Sequence, residues 1–190
     1  MRSYTLRVEH VPAYLRASSG RLFGERLAAS RCLGFFMVET GGDINRFVHI
    51  WEYEDMEQRR RVRAGLAENQ TFQDYWQTVR PLIRTQTSQI LLPVEPAFSP
   101  QSLRDGVFAL QCLPSGHSGA GQNASLDEPA HKGLRMVGSW NELWGKDCGR
   151  FWRLYRSAEG YAPLVQAADV VAPAGGKTTI LTPTDFSPMQ

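Results

Sequence analysis

His49 stands in the run Phe47-Val48-His49-Ile50-Trp51-Glu52-Tyr53. Alternate side chains of an extended chain share one face. Phe47, His49, Trp51 and Tyr53 therefore project together, with Val48 and Ile50 opposite. Imidazole titrates near neutral pH, so in an aromatic-lined space it is placed to exchange a proton with a bound ligand. A core histidine hydrogen-bonded to backbone or to Tyr53 is the structural alternative. Tyr4 and Tyr53 add hydroxyl donors. Trp51, Tyr75 and Trp76 add flat apolar walls with a polar edge. Arg2, Arg7 and Arg46 could meet an acidic substrate group through a bidentate guanidinium, or make ion pairs at strand ends. This reading gives His49, Tyr53 and Tyr4 catalytic roles, and Phe47, Trp51, Tyr75, Trp76 and Arg7 substrate-binding ones. The chemistry within reach is proton transfer without a redox cofactor, as in isomerisation, cyclisation or elimination of a small apolar or aromatic metabolite. A non-catalytic ligand-binding or protein-interaction module is the alternative.

The elements that must hold these residues repeat along the chain. Residues 90–100 read ILLPVEPAFSP and residues 180–190 read ILTPTDFSPMQ. An offset of 104 residues sets Tyr4 on Phe108, Arg46-Phe47 on Arg150-Phe151 and Trp51 on Tyr155. At the closing phrase the offset falls to 90, a loss of 14 residues that shortens a helix. Each half reads as strand, helix, strand, strand, helix, strand. In the first half the strands are expected at 2–8, 34–39, 46–53 and 88–92, with Gly41-Gly42-Asp43 turning the middle pair. The first helix starts near Pro12 and is interrupted at Gly20 and Gly24. Asp55 and Gln58 resemble a capping box opening the second, which Asn69-Gln70 divides. A βαββαβ unit with helices on one side leaves the other face bare. The third strand, apolar on both faces, calls for cover on both. The fold class is therefore α+β, two ferredoxin-like βαββαβ repeats (1–97 and 98–190) packed sheet to sheet within one chain.

The segment LGFFMVETGGDINRFVHIWEYEDMEQRRRVRAGL, with RSYTL before it and VRPLI and QILLP after it, resembles the NIPSNAP family of the dimeric α/β-barrel superfamily. The matching residues are Arg2, Tyr4, Leu6, Gly34-Phe35-Phe36, Glu39, Asn45, His49, Trp51 and Tyr53. The resemblance adds Asn45 to the substrate-binding candidates. It implies a ferredoxin-like unit that pairs into a barrel, here fused in tandem, with a homodimer of the fused chain as a further possibility. Superfamily relatives include cofactor-free monooxygenases, isomerases and cyclases and some haem proteins, which leaves haem ligation by His49 as a minor alternative to a cofactor-free site. The second half keeps the strand pattern but has Gly149 for Asn45 and Arg153 for His49.

Other patterns exclude more than they suggest. With 190 residues, a net charge of +2, 42% hydrophobic and 21% charged residues, the chain is ordinary globular protein. No charge excess calls for nucleic acid and no apolar run is long enough for a membrane span. The N-terminal residues read as strand and not as a signal, pointing to the cytoplasm. Cys32, Cys112 and Cys148 suit reduced thiols. The RRRVR run at 59–63 has acidic neighbours and reads as a solvated helix face. Residues 114–131, rich in Gly, Ser and Pro, read as a long loop in place of the second half's first helix, either a lid or docking surface or a segment with no role. Within it, His117, Asp127, Glu128 and His131 match no zinc spacing, and Gly119-x-Gly121 lacks a parallel βαβ context. Gly175-Gly176-Lys177-Thr178 resembles the end of a phosphate loop, but a strand follows where a helix is needed.

Overall fold

The structure, a computed structural model, describes residues 1–94, 106–114, 133–145, 148–167 and 175–187. Period-two alternation becomes strands β1 (Arg2–Leu6), β2 (Cys32–Thr40) and β3 (Arg46–Trp51). Between β1 and β2 the chain forms α1 (Val11–Ser19), opened by Pro12, and α2 (Arg21–Ala29). Extended backbone at Gly20 separates the two helices. After β3 come α3 (Met56–Glu68) and α4 (Gln70–Val79). Asp55 caps α3 by accepting from Gln58 N at 2.6 Å, and Gln58 Oε1 accepts from Glu54 N at 2.8 Å. Asn69 caps α4 by accepting from Phe72 N at 2.8 Å. A side-chain cap of this kind contributes about 1 kcal/mol. The expected fourth strand is two: β4 (Ile83–Ser88) and β5 (Ile90–Val94), separated by Gln89. The second half supplies β6 (Val107–Leu113), β7 (Leu134–Trp144), β8 (Phe151–Ser157), the short α5 (Ala162–Gln166) and β9 (Lys177–Pro183). Most of the 114–131 segment lies outside the described residues.

The fold is mixed α+β with an antiparallel sheet in the order β4-β1-β3-β2-β9-β6-β8-β7-β5. Since β4 runs into β5 through one residue, the two ends of that order belong to one stretch of chain and the sheet closes on itself. This amends the sheet-to-sheet picture. The inner faces do pack together, but the halves are also hydrogen-bonded along their edges, β2 to β9 and β5 to β7. At these ends β4 is hydrogen-bonded to β1 and β5 to β7, so one stretch of chain ties both ends of the order together.

Three apolar clusters follow from this closure. The inner one joins Leu33, Phe36, Val38, Val48 and Ile50 of the first half to Phe108, Leu110, Val137, Trp140, Leu154 and Leu181 of the second. Burying each such side chain contributes about 1.5–3 kcal/mol. The second cluster lies between the first half's strands and α1, α2 and α4, around Tyr4, Tyr14, Phe23, Phe35, Phe47 and Tyr75. The third, under α5, has Val107, Ala109, Leu164, Ala167 and Ile180 at its centre among the described residues.

Three details fix the seams between halves. Gln89 donates to Glu142 Oε2 at 3.1 Å, as Trp152 Nε1 does at 2.8 Å, tying the β4–β5 junction to β7 and β8. At the β2–β3 turn Gly41 has φ +81°, and a Cβ there would lie 2.4 Å from the Thr178 carbonyl oxygen. Only glycine meets both demands. Beyond β9, Thr184 N donates to Phe35 O at 3.0 Å, and the Phe186 ring sits 5.0 Å from that of Phe35. Phe186 and Ser187, whose Oγ accepts from Phe35 N at 3.0 Å, thus seal the first half's helix-side core. Their counterparts at 98–99 lie outside the described residues.

Candidate functional site

β3 turns Val48 and Ile50 inward and Phe47, His49 and Trp51 toward the helices. His49 is 4% exposed, with ring centroids of Tyr4 at 4.7 Å and Phe35 at 4.9 Å. The Trp51 indole N–H donates to His49 Nδ1 at 2.5 Å. An indole nitrogen can only donate, so Nδ1 must accept and the imidazole proton resides on Nε2. That Nε2 is buried and has no hydrogen-bond partner in the protein. Burial first, then the positive charge of Arg2, hold the imidazole pKa well below its ordinary 6.5. His49 is therefore a neutral donor with its lone pair already engaged. The geometry suits hydrogen-bond donation from Nε2, whereas the general acid/base role expected from its position would need a nitrogen free to accept a proton.

His49 borders a cavity of about 280 Å³ between the sheet and α2, α3 and α4. Tyr4, Phe35 and Trp51 form the sheet side, with Phe23, Phe72, Tyr75 and Trp76 on the helix side. Tyr75 Oη lies 3.2 Å from Ser18 Oγ, and burial raises its phenol pKa, keeping it protonated. Among the described residues the wall holds three arginines, Arg2, Arg26 and Arg63, and no carboxylate. Arg2 donates to Tyr4 Oη at 3.1 Å. Arg26, 7% exposed, lies 4.0 Å from the Trp51 ring centroid and donates to Ser30 Oγ and to Tyr53 Oη. Partial burial, then repulsion from Arg2, Arg59 and Arg26, lowers the Arg63 pKa. Among the described residues none of the three wall arginines enters an ion pair. Their charge faces the cavity uncompensated, a field that attracts an anion.

The structure gathers Tyr4, His49, Trp51, Tyr75 and Trp76 of the expected set and sends the rest elsewhere. Tyr53 follows the end of β3 and accepts from Arg26, outside the wall. Phe47 is wholly buried, its ring 4.9 Å from Tyr14, and acts as core. Asn45 Nδ2 donates to Leu6 O and Leu6 N donates back to Asn45 O at 3.1 Å, fastening β1 to the hairpin. Arg7 follows β1 and is exposed. The set missed Arg26 and Arg63, which lie on helices. The RRRVR run is solvated at Arg60 and Arg61, which meet Glu57, while Arg63 reaches the cavity rim. Its position three residues before the buried Leu66, on one helix face, was the available signal. His117, Asp127, Glu128 and His131, whose spacing matches no zinc site, fall outside the described residues. Among the described residues no disulfide joins Cys32, Cys112 or Cys148, and burial pushes the Cys32 thiol up to about 12.

Comparison with known proteins bears on this arrangement. The NIPSNAP family model matches residues 1–100. Protein NipSnap homolog 3A of Homo sapiens is 28% identical over 185 residues, covering 87% of this chain and 75% of that protein. Protein NipSnap homolog 3B of Homo sapiens is 30% identical over 152 residues, covering 70% of this chain and 60% of its own. Among solved structures, a NIPSNAP-like domain protein from Burkholderia xenovorans is 30% identical with a TM-score of 0.48, over 52% of this chain and 85% of that one. A "putative monooxygenase" from Lactobacillus acidophilus NCFM is 9% identical with a TM-score of 0.55, over 96% of this chain and 91% of that one. The last likeness concerns the fold alone, and it spans both halves. Among the described residues no helix is long and apolar enough to cross a membrane.

Proposed function

Because the chain belongs to the NIPSNAP family, whose match spans β1 to β5 and so every residue of the helix-side cavity, we propose that this cavity is a small-molecule site. Its ligand is a small apolar or aromatic metabolite bearing an oxygen that is ionised or becomes so. One observation carries this reading: the buried, unpartnered Nε2–H of His49 at the wall, its tautomer fixed by Trp51. Leaving a buried donor unsatisfied costs about 1–3 kcal/mol, which a ligand oxygen would recover. The arginine field favours the same oxygen when negatively charged. As an enzyme the protein would stabilise charge developing on that oxygen during isomerisation, cyclisation or elimination, without a redox cofactor. The aromatic walls hold the body of the ligand flat, and Arg2, Arg26 and Arg63 lower the energy of its anion. Among the described residues the wall has no carboxylate, and the His49 lone pair is taken, so solvent or the ligand itself accepts the proton. That same lack supports a second reading, a carrier that binds the anion without altering it.

The tandem origin belongs to this proposal. The order β4-β1-β3-β2 in the first half corresponds, strand for strand, to β9-β6-β8-β7 in the second, as two ferredoxin-like repeats of 1–97 and 98–190 would give. The larger helical cover of the first half accounts for placing the site there.

Mass spectrometry of small molecules retained on the natively purified protein tests the site. Wild type is expected to retain an organic acid or enolisable ketone that His49→Phe retains at least about tenfold less, as loss of a hydrogen bond to a charged group implies. Equal retention by both would remove His49 from the site. A retained compound that returns chemically altered after incubation marks an enzyme, and intact release marks a carrier.

A further inference from the structure

A second cavity, of about 420 Å³, lies on the opposite side of the first half's sheet, on the inner face of the barrel. We infer that it binds a phosphoryl group, with Arg46 and Arg150 and Lys177 as its cationic ligands. It shares no wall residue with the His49 cavity, so the inference stands apart from the function proposed above. Arg46 comes from β3, Arg150 from the residue before β8 and Lys177 from the start of β9. The offset of 104 residues relates the two arginines. The site exists only because the halves close on one another.

Three observations point to an anion. First, the three cations face a single wall carboxylate, Asp43, and among the described residues none of the three enters an ion pair. Second, among the described residues Arg46 Nε is buried without a hydrogen-bond partner, and Nη2 reaches Thr179 Oγ1 at 3.4 Å. Desolvation accordingly lowers the Arg46 pKa, and Asp43 offsets only part of that. Third, the guanidinium packs directly on the turn: a Cβ on Gly42 would come within 2.7 Å of Arg46 Nη2. The rest of the wall is rich in hydroxyls, with Ser3 and Thr5 on β1 and Thr85 and Thr87 on β4. Donors arriving from several strands suit a tetrahedral oxyanion with many acceptor positions better than a planar carboxylate. Lys177, noted in the sequence for its likeness to a phosphate-loop lysine, serves here from a strand and as a point charge.

Calorimetric titration of the full chain with inorganic phosphate and with glycerol 3-phosphate, against chloride at equal ionic strength, tests the inference. One site per chain is expected, with affinity reduced at least about tenfold in Arg46→Gln and several-fold in Lys177→Gln. Tighter binding of the ester indicates a phosphorylated metabolite, and tighter binding of phosphate indicates the free ion. Should Arg46→Gln fail to fold, the exposed Lys177→Gln carries the test. Binding no stronger than chloride, or unchanged affinity in the folded variants, would overturn it.

Discussion

Truncating Phe108 to alanine is expected to cost about 3–5 kcal/mol and to lower the melting temperature by roughly 10 °C, in a single transition. Phe108 belongs to β6 in the second half, is wholly buried, and stands 5.1 Å from Phe36 of β2 in the first. If the inner core belongs to both halves, Phe36→Ala costs a similar amount. The double variant should then show a coupling of about 0.5–3 kcal/mol, as contacting residues do. Urea unfolding followed by tryptophan fluorescence and by circular dichroism measures all four corners of that cycle. Two separate transitions, with Phe108→Ala displacing only one of them, would show that the halves fold independently.

The second large effect is on acid stability. The unfolded chain protonates His49 as pH falls through the ordinary value of 6.5, whereas burial keeps the folded imidazole neutral well below it. Above pH 6.5 both states are neutral and His49 adds no pH dependence. Below it the unfolded state binds more protons, so stability falls by about 1.4 kcal/mol per pH unit until the folded pKa is reached. His49→Phe removes this loss, and the neighbouring cavity leaves room for the larger ring. Relative to the variant, wild type is expected to lose stability progressively as the pH falls below 6.5, with a slope of up to about 1.4 kcal/mol per pH unit. Urea midpoints of both proteins across that range give the comparison. The remaining histidines are common to both and cancel. Parallel curves would mean that His49 titrates in the folded protein as it does in the unfolded one.

Much of this architecture was legible where one face of an element is buried. The two faces of β3 read directly from Val48 and Ile50 against Phe47, His49 and Trp51, and the helix breaks at Gly20 and Asn69 read from glycine and capping chemistry. β4 was not legible. Arg84-Thr85-Gln86-Thr87-Ser88 is polar throughout and exposed, because its two faces border open cavities and not packed core. The edge pairing of β2 with β9 and of β5 with β7 was hidden for another reason, since backbone hydrogen bonds leave no mark on side-chain pattern. In the site, residues on the face of β3 were found by alternation. Arg26 and Arg63 were not, because a helical arginine among acidic residues looks like a solvated one until the fold shows what it faces. Tyr53 fell outside the wall because β3 ends at Trp51 and alternation stops there.

The account rests on His49 presenting a fixed Nε2–H to the cavity. Nitrogen-15 NMR of the imidazole, correlated to its ring protons with Trp51→Phe as the reference variant, reads that state directly. Wild type is expected to show an unprotonated, pyridine-like Nδ1 and a protonated, pyrrole-like Nε2, unchanged as the pH is taken down past 6.5. Trp51→Phe should lose the fixed tautomer. A proton on Nδ1, or a titration midpoint near 6.5 in wild type, would contradict the account.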